Sequence, residues 1–134
     1  MTQKDKDLLL KDLSSRLPYK VKCVSGVDDA ILIIEGINPN CNGASEVQVT
    51  YERSGINFDT KISSIKPYLR PMSSMTGDEV LEYLSLKESI IANDGISYYF
   101  ETYESIDWLN KNMFDYHDLI PMGLANNSTG LNIY

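Results

Sequence analysis

The sequence has few of the residues from which catalytic and metal sites are usually built. It contains one histidine and two cysteines in 134 residues, and neither cysteine belongs to a CxxC pair or a Cys/His zinc spacing. Cys23 and Cys41 could pair in principle, but two cysteines are too few for a disulfide scaffold. We expect free structural thiols in a reducing cytosol. These residue types predict no catalytic residue, no metal and no cofactor.

Long hydrophobic segments are also missing. No stretch has the roughly eighteen uninterrupted apolar residues of a membrane span. A run of three leucines near the N-terminus is flanked by charges and is too short for a signal-peptide core. We therefore expect a cytoplasmic protein without membrane contact.

Positive charge is in short supply. The chain has 12 Lys and Arg against 19 Asp and Glu, a formal net charge of -7. A field of this sign repels phosphate backbones, so a nucleic-acid partner is disfavoured. Hydrophobic residues make up 43% and charged residues 23%, which is ordinary globular usage. We expect one folded domain over residues 1–134.

The first half of the sequence predicts a helix followed by short strands. Leu9 and Leu13 lie on one face of an amphipathic helix over residues 5–17, which Pro18 ends. Between residues 19 and 62, four β-branched runs alternate with Gly, Asn, Asp and Ser turns. This pattern predicts an antiparallel meander of about four strands, which can close into a small barrel.

The second half begins with the stretch KPYLRP. Pro67 and Pro71 disfavour both a helix interior and a central strand, so we expect an extended crossing. Thr76 to Glu79 then matches the S/T-x-x-E capping box that starts a helix. Apolar spacing continues this second helix to the NDG turn at 93–95.

A fifth strand and a third helix complete the prediction. Residues 96–101 read as a strand that joins the meander, with Tyr98 and Phe100 on one face and Tyr99 on the other. Residues 102–114 predict a helix capped by Thr102 or Ser105, followed by an irregular tail. The fold class is therefore α+β: an N-terminal helix, the meander, a helix, a fifth strand and a C-terminal helix.

Three ordered motifs support a family resemblance. They are RLPYKV after the first helix, KPYLRPMSSMT at 66–76, and DWLN with FDY before Leu-Ile in residues 107–120. With these motifs the chain resembles a set of small proteins encoded by gut bacteria of the Bacteroides type and by their phages or mobile elements. The resemblance implies a cellular context, a small cytoplasmic protein associated with mobile elements, and supplies no mechanism.

Aromatic residues give the main lead to function. Seven fall within the nineteen residues from Tyr98 to Tyr116, and Tyr and Trp are enriched in protein interface hot spots. The candidate interface residues are Tyr68, Arg70, Tyr99, Tyr103, Trp108 and Tyr116. Three of these positions also have an alternative interpretation. Arg70 and Tyr68 can lock the crossing segment to the fold, and Trp108 can belong to the core.

The sequence favours a non-enzymatic protein-interaction module, with a protein partner or a homo-oligomer. One alternative is an acidic phage-type inhibitor that presents carboxylates in place of nucleic-acid phosphates. The other is an enzyme in which His117 acts as a base oriented by Asp115 or Asp118. No nucleophile elbow, HExxH or P-loop motif accompanies that histidine.

Overall fold

The N-terminal helix begins at a capping box and packs its leucine face on the sheet. In the computed structural model, which describes residues 1–38 and 46–134, helix α1 spans Gln3–Arg16. The Thr2 side chain accepts from the Asp5 N–H, and the Asp5 carboxylate accepts from the Thr2 N–H, which satisfies two helix-terminal donors. Leu9 and Leu13 are fully buried, as the helical spacing predicts.

Four strands follow in an antiparallel meander. They are β1 (Lys22–Ser25), β2 (Ile31–Ile37), β3 (Val47–Tyr51) and β4 (Asn57–Thr60). Each pairs with the next along the chain. The predicted turn after β2 and Cys41 lie outside the described residues. The α+β class is thus confirmed, with an N-terminal helix and a sheet of several strands.

The predicted extended crossing is wrong, because KPYLRP lies inside the sheet. Strand β5 spans Ile65–Pro71 and pairs antiparallel with β1, with Cys23 opposite Pro67. The Gly26 N–H donates to the Ser64 carbonyl at 2.9 Å, so these two residues form a hydrogen-bonded pair between β1 and β5. Hydrogen-bonded and non-hydrogen-bonded pairs alternate along antiparallel strands, which places Pro67, three residues after Ser64, in a non-hydrogen-bonded pair. Its missing N–H therefore removes no hydrogen bond to β1, and the proline is tolerated.

The main sheet stays open and is mixed. Its strand order is β4-β3-β2-β1-β5-β8, and a further short strand, β9, also pairs with β5. Strands β8 (Phe114–Asp115) and β9 (Asn126–Asn127) both run parallel to β5. Neither was predicted. The sheet does not close into a barrel within the described residues.

The second helix is shorter than predicted. Helix α2 spans Gly77–Leu86 and starts at the expected Thr76–Glu79 capping box. Residues Glu88–Ile91 then form strand β6, which pairs antiparallel with β7 (Ser97–Phe100) as a separate two-stranded sheet. The NDG turn thus joins a hairpin, and its β-branched flank favours strand over helix. The predicted fifth strand does not join the meander.

The third helix forms where the sequence predicts it. Helix α3 spans Tyr103–Lys111, and Thr102 is its cap: the Thr102 side chain accepts from the Ser105 N–H at 3.0 Å. Among the described residues, no helix has the length and apolarity to cross a membrane.

Two apolar clusters hold these elements together. The larger joins α1, the meander and β5 to the segment after α3; among its fully buried members are Leu9, Leu13, Ile34, Val49, Ile62, Leu69 and Leu119. The smaller contains Tyr83, Trp108, Leu109 and Phe114. Because the smaller cluster takes residues from α2, α3 and β8, it fixes the two helices that flank the β6–β7 hairpin.

Candidate functional site

The β6–β7 hairpin exposes every residue of both its strands. Among the described residues, the extensive contacts of these two strands are with each other. The exposed side chains are nevertheless large and apolar, and each is about half exposed or more. We call them the hairpin surface: Ile90, Ile91, Ile96, Tyr98, Tyr99 and Phe100.

Both faces of the hairpin contribute to this surface. Ile90 lies opposite Tyr98 on one face, while Tyr99 lies opposite Ser89 on the other. Ile90 is 52% exposed, Tyr98 46% and Tyr99 48%. The structure therefore leaves uncovered both sets of aromatic residues that the strand pattern separates, and α3 shields neither.

Negative charge is concentrated around the hairpin. Between Gly77 and Glu104 the sequence has seven acidic residues and one basic residue, Lys87, whereas the rest of the chain has twelve acidic and eleven basic. Lys87 Nζ lies 3.1 Å from Glu101, and Glu79 in α2 is paired with Arg70. The hairpin itself carries Glu88 and Asp94, and Glu104 follows it closely, so the hairpin surface is an apolar patch in an acidic segment.

An aromatic column supports α2 and α3 beneath the hairpin. The rings of Tyr83 and Trp108 stack with centroids 5.6 Å apart, and those of Trp108 and Phe114 with centroids 5.5 Å apart. The Arg70 guanidinium caps the column 4.3 Å from the Phe114 centroid. Both Arg70 Nη atoms donate to Glu79. The column thereby ties β5 and β8 to both helices.

Polar contacts close the base of the hairpin. The Thr102 hydroxyl, just after β7, donates to the Leu86 carbonyl just before β6 at 2.7 Å. The Tyr83 hydroxyl donates to the Glu101 carboxylate, and burial together with this carboxylate raises the pKa of Tyr83. Burial alone would raise the pKa of Glu101, but hydrogen bonds from Ser105, Tyr83 and Lys87 lower it overall. The strands therefore extend from a fixed base.

No family model matches the chain, and no curated protein or solved structure matches it significantly. The resemblance to proteins of Bacteroides-type bacteria and their phages therefore stays a prediction.

The six residues predicted as interface candidates fall into three environments. Tyr99 is half exposed on the hairpin, and Tyr103, at the start of α3, is 82% exposed. Arg70 and Trp108 belong to the aromatic column, where Trp108 is buried. The remaining two are half-buried, Tyr68 in β5 and Tyr116 after β8.

His117 pairs with a carboxylate that the sequence did not suggest. Its Nδ1 lies 2.8 Å from Oδ1 of Asp12 in α1, 105 residues away. The Asp115 carboxylate instead accepts from the N–H groups of Leu119 and Ile120, each at 2.8 Å. Asp118 is exposed and has a φ of 58°. The predicted pairing of His117 with Asp115 or Asp118 does not form.

Asp12 is the centre of a buried polar cluster. It also accepts from Arg16 Nε at 2.8 Å and Nη2 at 3.0 Å, and Arg16 Nη2 donates to the Phe114 carbonyl at 2.6 Å. Asp12 and Arg16 are both fully buried. The Tyr116 ring packs on Arg16 and against the His117 ring. Among the described residues, Arg16 Nη1 is buried without a hydrogen-bond partner. The other charged groups of the cluster pair with one another, which is the arrangement of a structural ion-pair network.

A cleft of about 610 Å³ lies beside the C-terminal tail. Its described lining includes two basic residues, Arg70 and Lys111, and no histidine, cysteine or carboxylate. Arg70 is already paired with Glu79, so Lys111 is the cationic group left facing the space. Among the described residues, no group of three or more His, Cys, Asp or Glu side chains is placed to hold a metal ion.

Two features of the sequence indicate the hairpin surface, although the apolar spacing predicts a helix up to residues 93–95. One is the pattern itself, a β-branched pair, a turn with Gly, and the run SYYF, which is typical of a hairpin. The other is the local charge, since seven acidic residues between Gly77 and Glu104 stand out against a nearly balanced remainder. The buried Asp12–Arg16 pair had a weaker signal, an i,i+4 charge pair on the leucine face of α1.

Proposed function

We propose that this protein is a non-enzymatic protein-interaction module whose partner binds the hairpin surface. The observation that carries the proposal is the separate two-stranded sheet with large apolar side chains exposed on both faces. An isolated hairpin is at best marginally stable in water. Exposed patches of isoleucine, tyrosine and phenylalanine are typical of protein interfaces.

Burial of this surface would supply useful binding energy. Full burial of one large apolar side chain contributes roughly 1.5–3 kcal/mol, so each half-exposed residue of the hairpin has about half that still to gain. Several such contributions offset a substantial part of the cost of association. The exposed Tyr103 ring, three residues after Phe100, can extend the same contact.

The proposal is tested by making the hairpin surface polar while keeping it a strand. In the variant Ile90→Thr/Phe100→Thr, threonine keeps a high strand preference, so we expect the fold to persist and the interaction to be lost. The matched control is Ile56→Thr, because Ile56 is 61% exposed and lies outside the hairpin. The readouts are circular dichroism, light scattering after size exclusion, and affinity capture with quantitative mass spectrometry.

Two results would count against the proposal. One is capture of the same stoichiometric partner, or formation of the same oligomer, by the hairpin variant and the parent chain. The other is a parent chain that stays monomeric and binds no protein at high concentration.

A second candidate function, nucleic-acid mimicry, is favoured by the acidic concentration between Gly77 and Glu104. A mimic presents carboxylates in place of phosphates, so it competes with nucleic acid for a basic site. Competition by a DNA oligonucleotide for a captured partner would support the mimic. The large apolar side chains between the carboxylates favour the interaction module.

We further propose that the protein is cytoplasmic, on the basis of its composition. Its association with mobile elements of Bacteroides-type bacteria is proposed on the motif resemblance alone. The enzyme alternative would now rest on His117 with Asp12. It would be abandoned if His117→Ala left every activity detected for the chain unchanged.

A further inference from the structure

The outer edges of the hairpin present unpaired backbone groups. The Ala92 N–H donates to the Ile96 carbonyl at 2.9 Å, and Ile90 lies opposite Tyr98. Because bonded pairs alternate along antiparallel strands, the backbone groups of Ser97 and Tyr99 point outward on β7, and those of Ser89 and Ile91 point outward on β6. No partner for these groups is present among residues 1–38 and 46–134. Each edge can accept another strand.

The two edges differ in their side chains and not in charge. Lys87 and Glu101 are paired at 3.1 Å, which leaves Glu88 at the start of β6, Asp94 in the turn and Glu104 after β7, so a basic segment would meet carboxylates along either edge. Strand β7 carries three consecutive aromatic residues, Tyr98 to Phe100, whereas β6 carries Ile90 and Ile91. A segment added to β7 would therefore lie beside the aromatic side chains, which are the type enriched in protein interfaces.

The same charge disfavours a second copy of this chain as the occupant. Docking two hairpins would bring together two units that each carry seven acidic residues and one basic residue. Like charges placed opposite each other across an interface are strongly unfavourable. The same negative charge that repels a second copy would attract a cationic partner.

We propose that the occupant of the hairpin surface is an extended segment of a partner protein that combines apolar residues with Lys or Arg and adds to the edge of β7. This inference rests on the proposed function. Successive side chains of an added strand point to opposite faces, and the hairpin is apolar on both, with Tyr98 and Phe100 on one face and Tyr99 on the other. Apolar residues at the centre of the segment would cover these rings, and cations towards its ends would meet the carboxylates at the base and at the turn of the hairpin, Glu88, Glu104 and Asp94.

The test is a selection from a library of random peptides of about ten residues, long enough for one strand. The probe is the library itself, displayed on phage and bound to the immobilised full chain, with counter-selection on Ile90→Thr/Phe100→Thr. We expect enrichment of peptides that have apolar residues at the centre and basic residues towards the ends. Their binding to the parent chain should weaken by roughly tenfold when the salt concentration is raised tenfold.

Amide exchange of the best peptide complex then locates the binding edge. Addition to β7 should protect the outward N–H groups of Ser97 and Tyr99 and leave those of Ser89 and Ile91 unchanged. Protection of the β6 groups alone would overturn the choice of edge.

The remaining outcomes separate this inference from the proposed function. Enriched peptides that are acidic or uncharged, yet need the hairpin residues, would overturn the partner chemistry and leave the interaction module standing. Concentration-dependent dimerisation of the parent chain that Phe100→Thr abolishes would identify a second copy as the occupant and overturn the inference. A selection that yields no hairpin-dependent peptide, from a chain that stays monomeric, would contradict both.

Discussion

Arg70 and Glu79 form a two-pronged ion pair, in which Nη1 donates to Oε2 and Nη2 to Oε1, both at 2.8 Å. The same carboxylate accepts from the Thr76 N–H at 3.0 Å and so completes the cap of α2. One side chain thereby starts a helix and ties it to strand β5. Because α2 leads directly into β6, this contact also helps to set where the hairpin emerges.

Replacing Glu79 should make the protein less stable in a pH-dependent way. Hydrogen bonds from Arg70 hold the pKa of Glu79 at about 2, against an ordinary value of 4.5. A depressed pKa contributes stability above the unfolded value, and this contribution is lost as the pH falls from about 4.5 towards 2. We expect Glu79→Gln to lower the free energy of unfolding by roughly 1–3 kcal/mol at pH 7, and by much less near pH 2.

Urea unfolding at the two pH values measures this difference, and Glu82→Gln on the exposed side of the same helix is the control. An equal loss at both pH values would show that the carboxylate charge on Glu79 is not what stabilises the fold.

Breaking the buried ion-pair network that links α1 to the C-terminal segment should lower the free energy of unfolding. Asp12 binds Arg16 and His117, and both Asp12 and Arg16 are fully buried. Removing one partner of a buried ion pair leaves an uncompensated charge and typically costs about 3–5 kcal/mol. We expect that loss in Asp12→Ala by chemical denaturation and a change under about 0.5 kcal/mol in the exposed control Lys11→Ala. Similar stability of the two variants would argue against the network.

Cys23 should be chemically silent in the folded protein. It is fully buried opposite Pro67, and burial raises the pKa of its thiol to about 12, so the reactive thiolate is scarce near neutral pH. In a Cys41→Ser background, iodoacetamide at pH 8 should leave Cys23 unmodified under native conditions and alkylate it fully in urea. Rapid native alkylation would mean that β1 opens readily.

The hairpin should be the least protected regular structure in the free protein. Ile90 and Tyr98 lie in hydrogen-bonded positions, but both faces of their strands are exposed, so opening the hairpin costs little apolar burial. Hydrogen exchange followed by NMR should show their amides exchanging at least roughly a hundredfold faster than those of Ile34 and Val49 in the main sheet. Comparable protection in both sheets would mean that the hairpin is stabilised independently of a partner.

Short-range features were predictable because their causes lie within a few residues. The capping boxes at Thr76 and Thr102 need only a hydroxyl and a side chain three residues later. The leucines of α1 and the antiparallel order of the meander likewise follow from local periodicity and turns. The prediction failed at Pro67, because whether a missing N–H matters depends on the register with β1, which no local pattern reports.

The candidate site likewise has features that local sequence predicts and features that it does not. Composition alone shows that acidic residues are dense between Gly77 and Glu104 and aromatic residues between Tyr98 and Tyr116. That Trp108 is buried and Tyr99 exposed follows from the packing, because it depends on which surfaces α2, α3 and β8 bury against one another. The tertiary structure also decided that His117 would meet Asp12 and not its neighbours. A contact across 105 residues is set by the packing of α1 on the sheet, and short-range rules of spacing do not reach that far.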